Sequence, residues 1–134
     1  MEFDTGRIVA LMQDLERNYS LRPRHPEREG IYADYNARSE RFRNEARGWQ
    51  SFSYAAPERC AIDWFPAQGG GTANGEGSPL FVFIHGGFWR ALDRRVFSFI
   101  AQDYVKAGIS LGMIGYELAP AVTEAVRRLG TRAR

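Results

Sequence analysis

The chain has 134 residues, 44% hydrophobic and 25% charged, with a formal net charge of +2. That is the size and mix of one ordinary globular domain with a modest core, which excludes wholesale disorder. The charge is too small to argue for a nucleic-acid partner, because the basic residues, all Arg except Lys106, are interleaved with acids as at Glu16–Arg17 and Glu40–Arg41.

The N-terminus, Met-Glu-Phe-Asp, lacks the basic start and apolar run of a signal peptide. From Thr5 to Tyr19, Ile8, Leu11, Met12, Leu15 and Tyr19 recur at helical spacing and predict an amphipathic helix. Pro23 and Pro26 mark a loop in which His25 reads as solvated or capping. A second helix is expected from about Glu29 to Arg47, with Ile31, Tyr35, Phe42 and Ala46 on one face and Gly48 closing it. Residues 1–50 thus read as a helical segment, and 51–134 as a partial α/β core.

Alternation over Ser51–Ala55 predicts a short strand, and Cys60–Phe65 a second, with Asp63 on its solvent side. Cys60 is the only cysteine, so no internal disulfide can form; a buried, inert thiol and a reducing compartment are expected. Gly69–Pro79 is Gly-rich and polar, a flexible connection without the Lys-Ser/Thr of a phosphate loop.

Leu80–Ile84 is a continuous apolar run, expected to be a strand buried on both faces and far too short to cross a bilayer. Asp93 is placed to cap a helix over Arg94–Lys106, which Gly108 stops. Leu111–Tyr116 predicts another strand, and Pro120 precedes a short helix over Thr123–Leu129. Strand, loop, helix, strand is a βαβ unit with parallel strands. The protein is expected to be soluble and cytoplasmic, without a membrane or nucleic-acid partner.

The stretch that carries chemistry is His85-Gly86-Gly87-Phe88-Trp89, where the apolar run ends. The C-terminal edge of an open α/β sheet is where ligands bind. Successive glycines let bare backbone N–H groups approach a ligand, and such donors stabilise the oxyanion that forms when a carbonyl is attacked.

Pro79–Pro120, with its HGGFW core, resembles the HGGxW branch of the α/β-hydrolases, which includes the kynurenine formamidases (arylformamidases) and bacterial esterases. Leu15–Ser20 and Tyr35–Ser39 are similar to the leading helices of that branch. The resemblance implies hydrolysis of small esters or formamides through a Ser-Asp/Glu-His triad, without metal or organic cofactor. By motif position the N–H groups of Gly87 and Phe88, with Gly86, would form the oxyanion hole. His85 would brace the loop, and Trp89 would pack beneath it or against an acyl pocket. Glu117 departs from the YDLAP string of that branch.

The implied fold is an incomplete α/β-hydrolase: N-terminal helices, an antiparallel strand pair and one βαβ unit, truncated before the nucleophile-elbow strand. The only histidines are His25 and His85. The one G-x-S-x-G match, Gly108–Gly112, has helix before and strand after Ser110, the reverse of a nucleophile elbow. Asp93 reads as a cap rather than a catalytic acid, and no residues have metal-ligand spacing. No triad is therefore expected here, and little or no activity from this chain alone. The alternative is a non-catalytic binding or assembly module, self-associating or pairing with a separately encoded C-terminal half through an uncovered sheet edge.

Overall fold

A computed structural model describes residues 5–19, 22–69 and 77–121. The predicted helix over 123–129 lies outside the described residues. Contacts separate the chain into two units, one up to Ala33 and one from Asp34 onward.

The first unit holds α1, Thr5–Tyr19, with the bounds its helical spacing predicts, and a 3₁₀ turn at Arg22–Arg24. Leu11, Met12, Leu15 and Tyr19 are exposed. His25 is exposed as well, with Nδ1 2.8 Å from Glu27 Oε1, and that hydrogen bond lowers the Glu27 pKa. Helix α2, Arg28–Glu45, begins in this unit and continues into the second. Of the apolar stripe assigned to it, Ile31 is exposed whereas Phe42 is buried.

The second unit is built on a four-stranded sheet in the order β1-β2-β4-β3. Strands β1 (Gln50–Ser53) and β2 (Ala61–Phe65) are antiparallel, as are β2 and β4 (Ser110–Ile114). Strand β3 (Leu80–Ile84) lies parallel to β4, with Leu80 opposite Ser110 and Ile84 opposite Ile114. The antiparallel pair and the βαβ unit are as expected. Cys60 is buried one residue ahead of β2, where its N–H closes a turn on the Pro57 carbonyl.

One sheet face is covered. Phe65 of β2 and Leu111 and Met113 of β4 meet Phe42, Ala101 and Val105, with Trp49, Phe83, Phe97 and Ile100 packed around them. Phe65 lies between two aromatic neighbours, Phe42 at 5.2 Å and Trp49, stacked at 5.5 Å.

The connection between β3 and β4 departs from the single expected helix. Arg94–Ile100 is a 3₁₀ segment, and only Ala101–Lys106, α3, is α-helical. Side chains of α2 explain this. Ser39 Oγ accepts from the Phe99 N–H at 3.1 Å and donates to the Val96 carbonyl at 2.7 Å. Arg43 takes the Arg95 carbonyl at 2.6 Å, the acceptor that the Phe99 N–H would use in an α-helix. Ser39 and Ser98 are fully buried in this contact.

Two readings of side-chain placement are corrected. Asp63 is not on a solvent face: it is 1% exposed, on the same face as Phe65 and Met113. A buried carboxylate without hydrogen-bond partners is costly. Arg94, also buried, places Nε 3.0 Å from Asp63 Oδ1, and the Ser51 hydroxyl donates to the same oxygen at 2.7 Å. Nor is β3 buried on both faces. It is an edge strand, with Leu80 60%, Val82 47% and Ile84 62% exposed, because among the described residues nothing covers that face.

Candidate functional site

The loop His85–Trp89 leaves the C-terminal end of β3, where the parallel neighbour β4 also ends. Its backbone is wound tightly in the left-handed region, with φ of 127° at Gly87, 54° at Phe88 and 52° at Trp89. Gly87 is required: a Cβ there would collide with the Ala91 carbonyl, in a conformation that L side chains rarely adopt. Phe88 and Trp89 tolerate positive φ only because the surrounding bonds hold the turn. The Gly87 carbonyl accepts from the N–H groups of Arg90 (3.0 Å) and Ala91 (3.2 Å), and the Trp89 carbonyl from that of Ala119 (2.7 Å).

His85 is 3% exposed. Its side chain follows Phe81 and Phe83 on the covered face and stacks on Tyr116, with ring centroids 4.4 Å apart and planes 13° apart. Phe97 lies at 6.1 Å, nearly coplanar in orientation. Nδ1 is 2.8 Å from the Gly86 carbonyl oxygen, and the Tyr116 hydroxyl donates to the His85 carbonyl at 2.7 Å. The ring is thus used inside the loop. Among the described residues Nε2 has no partner.

Gly86 and Gly87 are therefore gathered with His85 in one bonded turn, while Phe88 and Trp89 point outward, 87% and 70% exposed. The Trp89 ring does not lie beneath the loop. Among the described residues, no backbone carbonyl accepts a hydrogen bond from the N–H of Gly86, Gly87 or Phe88.

Asp93 sits where the loop re-enters the fold. Its side chain caps the 3₁₀ segment through the Arg95 N–H at 3.0 Å and pairs with the Arg95 and Arg59 guanidinium groups. Partial burial raises its pKa, but the hydrogen bonds from Arg95 and the charges of Arg95 and Arg94 outweigh that and hold the carboxyl below its ordinary value. Arg95 is raised in turn by the same pair. These contacts make Asp93 a cap, as its position predicts.

Ser110 stands at the opposite end of the sheet. It opens β4 beside Leu80, and its hydroxyl accepts from the Ala67 N–H at 3.1 Å. At ~3.3 Å per residue, the length of β3 separates it from His85 by about 15 Å. A cavity of about 370 Å³ lies at that end too, lined by Phe42, Glu45, Phe65, Gln68 and Val105 among others, with no histidine or serine. Among the described residues no group of His, Cys, Asp or Glu is arranged to hold a metal ion, and no helix is long and apolar enough to cross a membrane.

Sequence reasoning missed Tyr116 and the Arg94–Asp63 pair. The signal for Tyr116 was register: Ile84 faces Ile114, so residues just beyond β4 must lie beside His85. Gly115 marks the same crowding, since a Cβ on it would strike the Arg59 carbonyl and the Arg94 guanidinium. Tyr54 also bonds there, its hydroxyl donating to the Gly115 carbonyl at 2.6 Å; burial, followed by the neighbouring Cys60, pushes its pKa up.

No family model matches the chain. Over 46 residues, 34% of its length, it is 39% identical to the kynurenine formamidase of Drosophila melanogaster. Over 42 residues it is 36% identical to that of Salmo salar. These stretches span only 15% and 14% of the two relatives. A solved structure of a protein assigned as a thioesterase, from Silicibacter sp., superposes with a TM-score of 0.56 at 28% identity, covering 76% of this chain and 41% of the other.

Proposed function

We propose, for a chain that carries part of an α/β-hydrolase, that Gly86–Phe88 is the oxyanion-hole segment of an acyl hydrolase acting on ester or formamide carbonyls. One observation carries this reading: consecutive loop carbonyls are occupied from the protein side. The His85 carbonyl is held by Tyr116, that of Gly86 by His85, and that of Gly87 by Arg90 and Ala91.

A trans peptide is planar, and its N–H points opposite its C=O. Fixing those carbonyls therefore directs the N–H groups of Gly86, Gly87 and Phe88 away from the groups that hold them. Preset donors at the end of a parallel strand are what a developing oxyanion needs, and loss of one such donor costs ~3 kcal/mol of barrier in hydrolases. They require no reorganisation when the carbonyl is attacked. His85 serves as a brace, its Nδ1 being occupied by the loop itself.

The attacking groups are not supplied by the residues at hand. Ser110 is far from the loop and bonded to Ala67, and His25 is exposed beside Glu27. A serine with no base is a poor nucleophile at neutral pH. This chain alone is therefore expected to leave p-nitrophenyl acetate and N-formyl aromatic amines at their buffer rates. Turnover by the chain alone that disappears in Ser110→Ala, with folding intact, would overturn the reading.

A second reading rests on a separate observation: β3 is an apolar edge strand with no charge along it. Such an edge pairs readily with another strand. The chain would then act as an assembly module, joining a second copy or a complementary half. Size-exclusion chromatography tests this, since a clean monomer that unfolds cooperatively contradicts it.

A further inference from the structure

We infer that Tyr116 is a positioning residue for the His85–Phe88 loop, acting through its hydroxyl on two successive peptide groups. This rests on the reading of that loop as an oxyanion site. A phenol has one proton to donate. At 2.7 Å it goes to the His85 carbonyl, fixing the 85–86 peptide directly.

The same hydroxyl oxygen lies 3.4 Å from His85 Nδ1, and the Gly86 carbonyl oxygen lies 2.8 Å from that nitrogen. A lone pair on Nδ1 would face the lone pairs of both oxygens. A proton on Nδ1 faces two acceptors instead. The Gly86 carbonyl calls for the tautomer in which Nδ1–H donates to it and sets the 86–87 peptide, and Tyr116, its own proton committed to the His85 carbonyl, reinforces that tautomer as a second acceptor.

The ring is held against rotation by Tyr116 at 4.4 Å and bordered by Phe97 at 6.1 Å. The lone pair is left on Nε2, the buried atom without a partner among the described residues. The hydroxyl of Tyr116, two residues past the end of β4, thus aims the N–H groups of Gly86 and Gly87.

The test is nitrogen NMR of the whole chain labelled with ¹⁵N-histidine. There are only two histidines, and His25→Gln assigns them. In the wild-type protein His85 is expected as a single tautomer, protonated at Nδ1 and bare at Nε2. Tyr116→Phe keeps the stacked ring and removes only the hydroxyl.

In that variant the two His85 nitrogen resonances are expected to move towards each other as the tautomers mix. The Gly86 and Gly87 amide resonances should shift while those of β2 and β4 stay in place. A merely structural role would lower stability and leave the tautomer alone. Wild-type His85 protonated at Nε2 overturns the inference, as do unchanged His85 nitrogens in Tyr116→Phe. If that variant fails to fold, the wild-type Tyr116 hydroxyl proton decides: slow exchange with solvent, as its bond to the His85 carbonyl requires, supports the inference, and free exchange overturns it. The spectrum is read without substrate, so a failure of the hydrolytic reading leaves this result standing, and the reverse also holds.

Discussion

The two faces of the sheet carry similar amounts of apolar side chain and meet opposite fates. On the covered face Phe65, Leu111 and Met113 are at most 1% exposed. On the other, the paired row Phe52, Ile62, Ile114 and Ile84 runs across all four strands, with Phe52 50% and Ile84 62% exposed. Hydrophobicity alone does not decide burial; a covering layer does, and here it is α2, the 3₁₀ segment and α3. The difference also anchors the loop after β3. Phe81, Phe83 and His85 alternate onto the covered face, so the loop after β3 is anchored there through His85, and among the described residues no backbone carbonyl accepts from the N–H groups of Gly86, Gly87 or Phe88.

The sharpest way to break this contrast is at the buried ion pair of the covered face. Arg94→Met strands Asp63 in the core and is expected to cost ~3–5 kcal/mol in urea unfolding. The double variant Asp63→Leu/Arg94→Met should recover most of that loss, since a buried pair contributes little beyond its apolar replacement.

Leu111→Ala, which opens a cavity at a fully buried position, is expected to cost ~2–5 kcal/mol by the same measurement.

Asp93→Ala removes the cap and is expected to cost about 1 kcal/mol at neutral pH. The folded-state pKa of Asp93 is depressed, so its contribution is complete above the unfolded value of ~3.9 and disappears as pH falls through the folded one. Wild-type and variant stabilities should therefore converge in acid.

The smallest effect belongs to the open face. Val82→Thr is expected to change unfolding stability by less than about 0.5 kcal/mol. A larger loss there would mean that the face is covered in solution.

Much of this was legible in the residues. The apolar run followed by His-Gly-Gly placed β3 and its loop correctly, since a strand end and two glycines are local signals. Asp93 was readable as a cap for the same reason. What was not legible depends on partners distant in sequence. Ile62 and Trp64 are bulkier than Ala61 and Asp63, so alternation along β2 pointed to the wrong covered face; only Arg94, 31 residues later, makes a buried Asp63 tolerable. The continuous helix expected over Arg94–Lys106 failed because Ser39 and Arg43 of α2 take over its backbone groups. Tyr116 read as a strand residue, and its bond to the His85 carbonyl spans 31 positions.

Whether the loop N–H groups face outward while their carbonyls are held inward can be read from amide hydrogen exchange of the chain. Gly87 and Phe88 are expected to exchange at nearly unprotected rates while Arg90, Ala91 and the β4 amides of Leu111 and Met113 are protected. Protection of Gly87 and Phe88 comparable to that of Leu111 would contradict that orientation.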